Sequence, residues 1–159
     1  MQFDAFTILC ILQEDRTGRR SLEQAVRIWP EAAEREPEPL GQVHHELEFV
    51  AGSRRVAAAQ LAFMPPYGER LTVTVEPLAT SFLSLGTGYG MDADWRHGMY
   101  QGPLAVQYRS YDLADAEVLA RGYGLMDDLA RFELDGATGH GLFENALLGP
   151  NDRYGFGAR

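Results

Sequence analysis

The chain contains no lysine. Its fourteen basic residues are all arginines, against 23 Asp and Glu, for a formal net charge of −9. An acidic surface without a basic stripe repels phosphate backbones and anionic lipid, which argues against nucleic acid as a partner. The only basic clusters, Arg16-Arg19-Arg20 and Arg54-Arg55, flank glycines at expected turns, where solvated hairpin tips account for them. Cysteine is nearly absent too. Cys10 stands alone in an apolar run, which excludes an intramolecular disulfide, fits a reducing cytoplasm and reads as packing rather than as a nucleophile. No apolar run approaches the ~20 residues of a membrane span. The apolar start, Phe3 to Leu12, holds Asp4 and follows no basic leader, so it does not read as a signal peptide. The expected setting is cytoplasmic.

What is present is mostly β patterning within one domain, residues 1–159. Leu71-Thr72-Val73-Thr74-Val75-Glu76 alternates apolar and polar residues, as a strand with one buried face does. His45, Leu47 and Phe49 share one face and Glu46 and Glu48 the other; Ala-Gly-Ser at 51–53 turns the chain into a strand from Arg55 to Phe63. Phe3 to Glu14 is apolar on both faces, so it should be covered on both, and Asp15 to Gly18 turns it into Ser21 to Trp29. Leu104 to Tyr108 and Phe132 to Leu134 read as further strands, and Asp135-Gly136 as a tight turn into Gly141 to Leu148. Pro30 to Pro39 reads as an acidic loop, and Asp115 to Leu129 as a short helix broken by Gly122 and Gly124. About eight short strands joined by turns predict an all-β antiparallel meander, closed as a barrel or packed as a sandwich.

Chemistry-bearing residues concentrate between Gly86 and Gly102, where Tyr89, Asp92, Asp94, Trp95, His97 and Tyr100 stand among glycines. The same segment also fits a glycine-rich connection between two strands. Asp92 and Asp94, two apart, face one way if extended and can share a proton, because like charge and apolar surroundings both raise a carboxylate pKa. Glu144 shares its side with Leu142 and Ala146, an unusual place for an acid. These patterns make Asp94, Asp92 and Glu144 candidate acids, with His97 fixing protonation or holding water. Tyr89, Trp95, Tyr100, Tyr108 and His140 are candidate ligand-binding residues, the aromatics as cavity walls. His44 and His45 are adjacent, so on a strand they face opposite sides, and they read as structural. No compact metal-ligand spacing occurs, Gly86-x-Gly88-x-Gly90 lacks the following helix of a dinucleotide loop, and Ser81 and Ser84 lack a nucleophile-elbow setting. No metal and no cofactor is expected.

Three patches carry a family resemblance: Gln13-Glu14 with Gly18 to Trp29, Gly88-Tyr89-Gly90 through Asp94-Trp95-Arg96-His97-Gly98, and Gly139 to Asn145 with Gly149-Pro150. Together they resemble the C-terminal part of uncharacterised bacterial proteins related to the carotenoid hydratase and AttH group of lipocalin-like proteins. That group carries an Asp-His-Glu-Trp-like signature where this chain has Asp92-Ala93-Asp94-Trp95-Arg96-His97, with the imidazole after the tryptophan. The resemblance implies a lipocalin-like (calycin-type) barrel, or half of a larger one, around an apolar ligand. It further implies a homodimer or a companion chain that completes the barrel. The expected function is a cofactor-independent acid–base enzyme, of hydratase, isomerase or cyclase type, acting on a small apolar isoprenoid-, steroid- or polyketide-like molecule. The alternative is a non-catalytic lipocalin-type binding module for an apolar ligand.

Overall fold

The computed structural model describes residues 1–85, 96–121 and 124–157. The strands are β1 (Thr7–Glu14), β2 (Arg20–Ile28), β3 (Glu38–Pro39), β4 (Gln42–Phe49), β5 (Val56–Met64), β6 (Leu71–Phe82), β7 (Leu125–Leu134) and β8 (Ala137–Ala146). They form two antiparallel sheets, β1-β2-β3 and the meander β4-β5-β6-β7-β8. The fold is all-β: the one α-helix among the described residues, α1 (Ala116–Arg121), has six residues.

Period-two patterning sets the inner face. Along β7, Met126, Asp128, Ala130, Phe132 and Leu134 are buried, while Leu129, Arg131 and Glu133 between them are exposed. On β4, Val43 and His45 are buried between exposed neighbours. Ile8, Val43, Phe63, Val73 and Phe132 meet in one core, each 0% exposed. At ~25 cal/mol per Å2 of apolar surface, burial of such side chains supplies ~1.5–3 kcal/mol each, so the inner face carries most of the stability.

The sheets share one core and are also joined by hydrogen bonds along their flanks. The N-terminal residues lie between β1 and β8: Gln2 and His140 exchange backbone hydrogen bonds at 2.8 and 2.9 Å, and the Ile8 N–H donates to the Met1 carbonyl at 2.8 Å. On the far flank the Val43 N–H of β4 donates to Glu23 Oε1 of β2 at 2.6 Å. Beyond β8, the Asp152 N–H donates to the Arg16 carbonyl at 2.9 Å, and the two side chains pair at 3.0 Å. Between the Gln2–His140 bridge and the Arg16–Asp152 contact, β1 and β8 share no ladder. A seam therefore runs between them, pinned at both ends.

Five expectations change. Residues 104–108 form no strand: Leu104, Val106 and Tyr108 are 82–87% exposed, an alternating pattern without a partner edge. The helix stops at Arg121, and Leu125 to Leu129 belong to β7, where pairing with β6 and β8 overrides local propensity. Pro30 to Pro39 contains a 3-10 turn (Glu31–Ala33) and the two-residue β3. The apolar β1 is covered on its inner face only, with Leu9 and Ile11 53% and 52% exposed on the outer one. β6 also runs past Pro77 to Phe82, because a bulge between Pro77 and Ala79 accommodates a residue that cannot donate to a ladder.

Close approach of the N-terminus to β8 depends on glycine. A Cβ on Gly139 would lie 2.7 Å from the Gln2 carbonyl oxygen and 2.8 Å from Phe3 Cδ1. Gly139→Ala is expected to cost ~1–3 kcal/mol by overpacking, whereas Gly157→Ala, whose Cβ would meet nothing within 4 Å, should leave the unfolding midpoint unchanged. Denaturant titration of both variants checks this.

Candidate active site

A cavity of about 430 Å3 lies behind the seam, within the size range of small-molecule sites. Residues of β1, β4, β5, β7 and β8 and of the segment after β8 line it. Ile8, Leu12, Val43, Leu47, Phe132 and Phe143 supply apolar wall. Leu9, Leu142 and Glu144, which alternate outward on β1 and β8, also border it.

One part of the wall is polar. Even-numbered residues of β1 face inward, so Glu14 follows Ile8, Cys10 and Leu12, at a bulge where Glu14 pairs with Arg20. β4 brings in His45, which is 9% exposed. The segment after β8 brings in Tyr154. His45 Nε2 lies 2.9 Å from Glu14 Oε2 and Nδ1 lies 3.0 Å from the Tyr154 hydroxyl, so a buried imidazole has both nitrogens partnered. Glu14 Oε1 also accepts from Arg20 Nε at 3.1 Å, and Arg20 pairs in turn with Glu23. The polar chain Tyr154–His45–Glu14–Arg20–Glu23 thus crosses from the terminal segment to β2.

Tyr154 lies in no strand, and contacts with Asn151, Phe49, Arg54 and Arg153 hold it and its segment instead. Its N–H donates to Asn151 Oδ1 at 3.0 Å, and its ring meets Phe49 edge-on with centroids 5.1 Å apart. Arg54, 2% exposed, grips the terminal segment through backbone carbonyls: it donates to Leu147 at 2.7 Å, to Gly157 at 2.9 Å and to Gly149, with Phe156 against its guanidinium. Arg153 donates to the His45 carbonyl at 2.5 Å.

These surroundings shift the ionisable groups. Burial alone would raise the Glu14 carboxyl, but the hydrogen bonds and charges of His45 and Arg20 outweigh it and hold the pKa below its ordinary value. Burial pushes the Tyr154 phenol up, against the opposing charge of Arg153. The Cys10 thiol on the cavity wall is pushed up to about 11, first by burial and then by the Glu23 charge, which keeps it protonated and poorly nucleophilic at neutral pH. The ionised Glu14 accepts from His45 Nε2–H, and in the tautomer that carries its proton on Nε2 the other ring nitrogen, Nδ1, is an acceptor for the Tyr154 hydroxyl.

A second polar cluster sits on the inner face. Asp128 is 0% exposed, accepts from Thr80 Oγ1 at 2.5 Å and from Asn145 Nδ2 at 3.3 Å, and burial raises its pKa.

Of the candidates read from the sequence, Tyr89, Asp92, Asp94 and Trp95 lie outside the described residues. Glu144 borders the cavity from the exposed face of β8. His97, Tyr100, Tyr108 and His140 are exposed and do not line it; His140 contributes its backbone to the bridge with Gln2. Among the described residues, no group of three His, Cys, Asp or Glu is arranged to hold a metal ion. The residues that sequence reading missed are Glu14, His45 and Tyr154. His45 carried a signal, since it shares its face with Leu47 and Phe49; a titratable ring on an apolar strand face needs partners. Tyr154, 109 residues from His45 in sequence, had none.

Residues 1–157 match the family of unknown function DUF8625. The chain belongs to that family. No curated protein and no solved structure matches the chain.

Two pH dependences of opposite sign follow. A depressed carboxyl contributes stability above its unfolded-state pKa and loses it as pH falls through the folded one. Glu14→Gln should therefore cost ~1–3 kcal/mol at neutral pH, and the deficit should shrink on acidification. Asp128, with its raised pKa, is a burden when ionised that acid relieves. Asp128→Asn should equal or exceed the parent in stability at neutral pH and lose that advantage as pH falls. Urea midpoints between pH 7 and pH 4 test both signs.

Proposed function

We propose that the two sheets act as a single lipocalin-like wall around the cavity, and that the protein is a cofactor-independent proton-transfer enzyme of hydratase, isomerase or cyclase type. Its substrate is a small, mainly apolar molecule of isoprenoid, steroid or polyketide character. One observation carries this reading: the Tyr154–His45–Glu14 hydrogen-bond chain borders a cavity whose lining is mainly apolar. Barrel-like closure is supported by the Gln2–His140 bridge on one flank and the Glu23–Val43 hydrogen bond on the other.

In this reading the Tyr154 hydroxyl faces substrate. As it takes a proton from the substrate it passes its own to His45 Nδ1, and the imidazolium that forms rests against the ionised Glu14. The reverse transfer delivers a proton at a second position or to a developing oxyanion. Burial keeps Tyr154 a phenol between turnovers, and the apolar wall keeps bulk water from competing for the proton. Arg20 orients Glu14 and Arg54 holds the segment that carries Tyr154; both are positioning residues.

The second reading, a non-catalytic binding module, is favoured by the mainly apolar lining and by the full engagement of both His45 nitrogens. Isotope exchange separates the two. An enolisable bicyclic ketone, 2-tetralone, is incubated with the protein in D2O and deuterium uptake is followed by mass spectrometry. The enzyme reading expects uptake faster than in buffer, with Tyr154→Phe slower by about a hundredfold or more while still binding the ketone. Equal uptake by parent and variant, with the ketone bound to both, leaves the binding module.

A further inference from the structure

We infer that the ligand is elongated, with one polar end, and that its apolar tail leaves the cavity through the seam past Leu9 and Leu142. Strand alternation turns Cys10 of β1 and Phe143 of β8 toward the core. It turns Leu9 and Leu142 to the outer side, where they are 53% and 54% exposed. All four border the same space. A cavity closed behind the two strands would touch only the inner pair, so this one continues between the strands and opens on the outer face. The opening has a fixed place along the seam. Ile8 and His140 are held to Met1–Gln2 by backbone hydrogen bonds, and Leu9 and Leu142 are the first outward residues beyond that pin.

The lining is apolar at that end and more polar at the other. Beyond Leu142 the outward side of β8 continues with Glu144. Glu14, at the end of β1, starts the hydrogen-bond chain to His45 and Tyr154, and Asp15 and Arg16 follow it on the lining. A ligand with one polar end settles with that end toward Tyr154 and its tail toward Leu9 and Leu142. Half-exposed leucines at a cavity mouth lose contact with water when a methylene chain lies across them, and each methylene so covered adds affinity. This inference rests on the proposed reading of the cavity as an apolar site, and gives the molecule that enters it a length and a direction.

The test titrates a series of methyl ketones, 2-octanone, 2-decanone, 2-dodecanone and 2-tetradecanone, into the whole protein by calorimetry. In the parent, affinity should rise by up to about fourfold for each methylene added and go on rising through the longest ketone. The double variant Leu9→Ser with Leu142→Ser should bind 2-octanone as the parent does and bind 2-tetradecanone about tenfold more weakly. Leu78→Ser removes a leucine of β6 that is equally exposed, at 54%, but does not line the cavity; it should match the parent on all four. In the unmutated protein, the methyl resonances of Leu9 and Leu142 should move with 2-tetradecanone and stay still with 2-octanone, which secures a readout if the double variant does not fold. Unmoved leucine methyls with the longest ketone, or equal affinity of parent and double variant for it, would overturn the inference and leave the apolar cavity standing. An equal loss for every ketone, 2-octanone included, would make the two leucines part of the inner wall and overturn it as well. Failure of all four ketones to bind would overturn the inference together with the cavity reading.

Discussion

The unpaired seam between β1 and β8 is the constraint on which the rest of the molecule depends. Neighbouring strands in a continuous ladder lie about 4.8 Å apart and leave no room between them. Here the ladder runs from β4 to β8 and from β1 to β3, but among the described residues β1 and β8 are joined through Met1–Gln2 at one end and the Arg16–Asp152 contact at the other. Side chains that would otherwise interdigitate across a closed core instead border a cavity. An open edge is a liability in a β protein; pinning both ends keeps it short and leaves the middle accessible.

The polar interior follows from that opening. Charged groups on an inner face are costly unless partnered, and each one here has a chain of partners. Glu14 meets both His45 and Arg20, Arg20 meets Glu23, and Glu23 accepts the Val43 N–H. The last link, Tyr154, comes from a segment without strand pairing, so its position depends on Arg54. A buried guanidinium bonded to three backbone carbonyls holds an irregular segment to the sheet. Fold and candidate chemistry therefore share residues, and a change in Arg54 acts at the site without touching it.

Much of the fold was legible because strand alternation is local. β1, β2, β4, β5 and the first half of β6 are readable from runs such as Leu71 to Glu76, whose inner residues the structure buries. Where a pattern needs a partner to become a strand, local reading fails in both directions. Residues 104–108 alternate but find no edge, while Leu125 to Leu129 look helical and are paired on both sides. The site was less legible for the same reason. Spacing alone puts Glu144 on one side of β8 with Leu142 and Ala146, yet that side is exposed. Alternation puts His45 on the face of Leu47 and Phe49, but its partners come from 31 and 109 residues away. No periodicity in a sequence encodes a contact of that span.

The most direct measurement is a crystal structure of the protein grown with 2-tetralone. The expected result is ketone density between β1 and β8, with its oxygen within hydrogen-bond distance of the Tyr154 hydroxyl. Ketone seated on the outer face of the sheets or against residues 96–108, with the cavity empty, would contradict the assignment of the seam as the site.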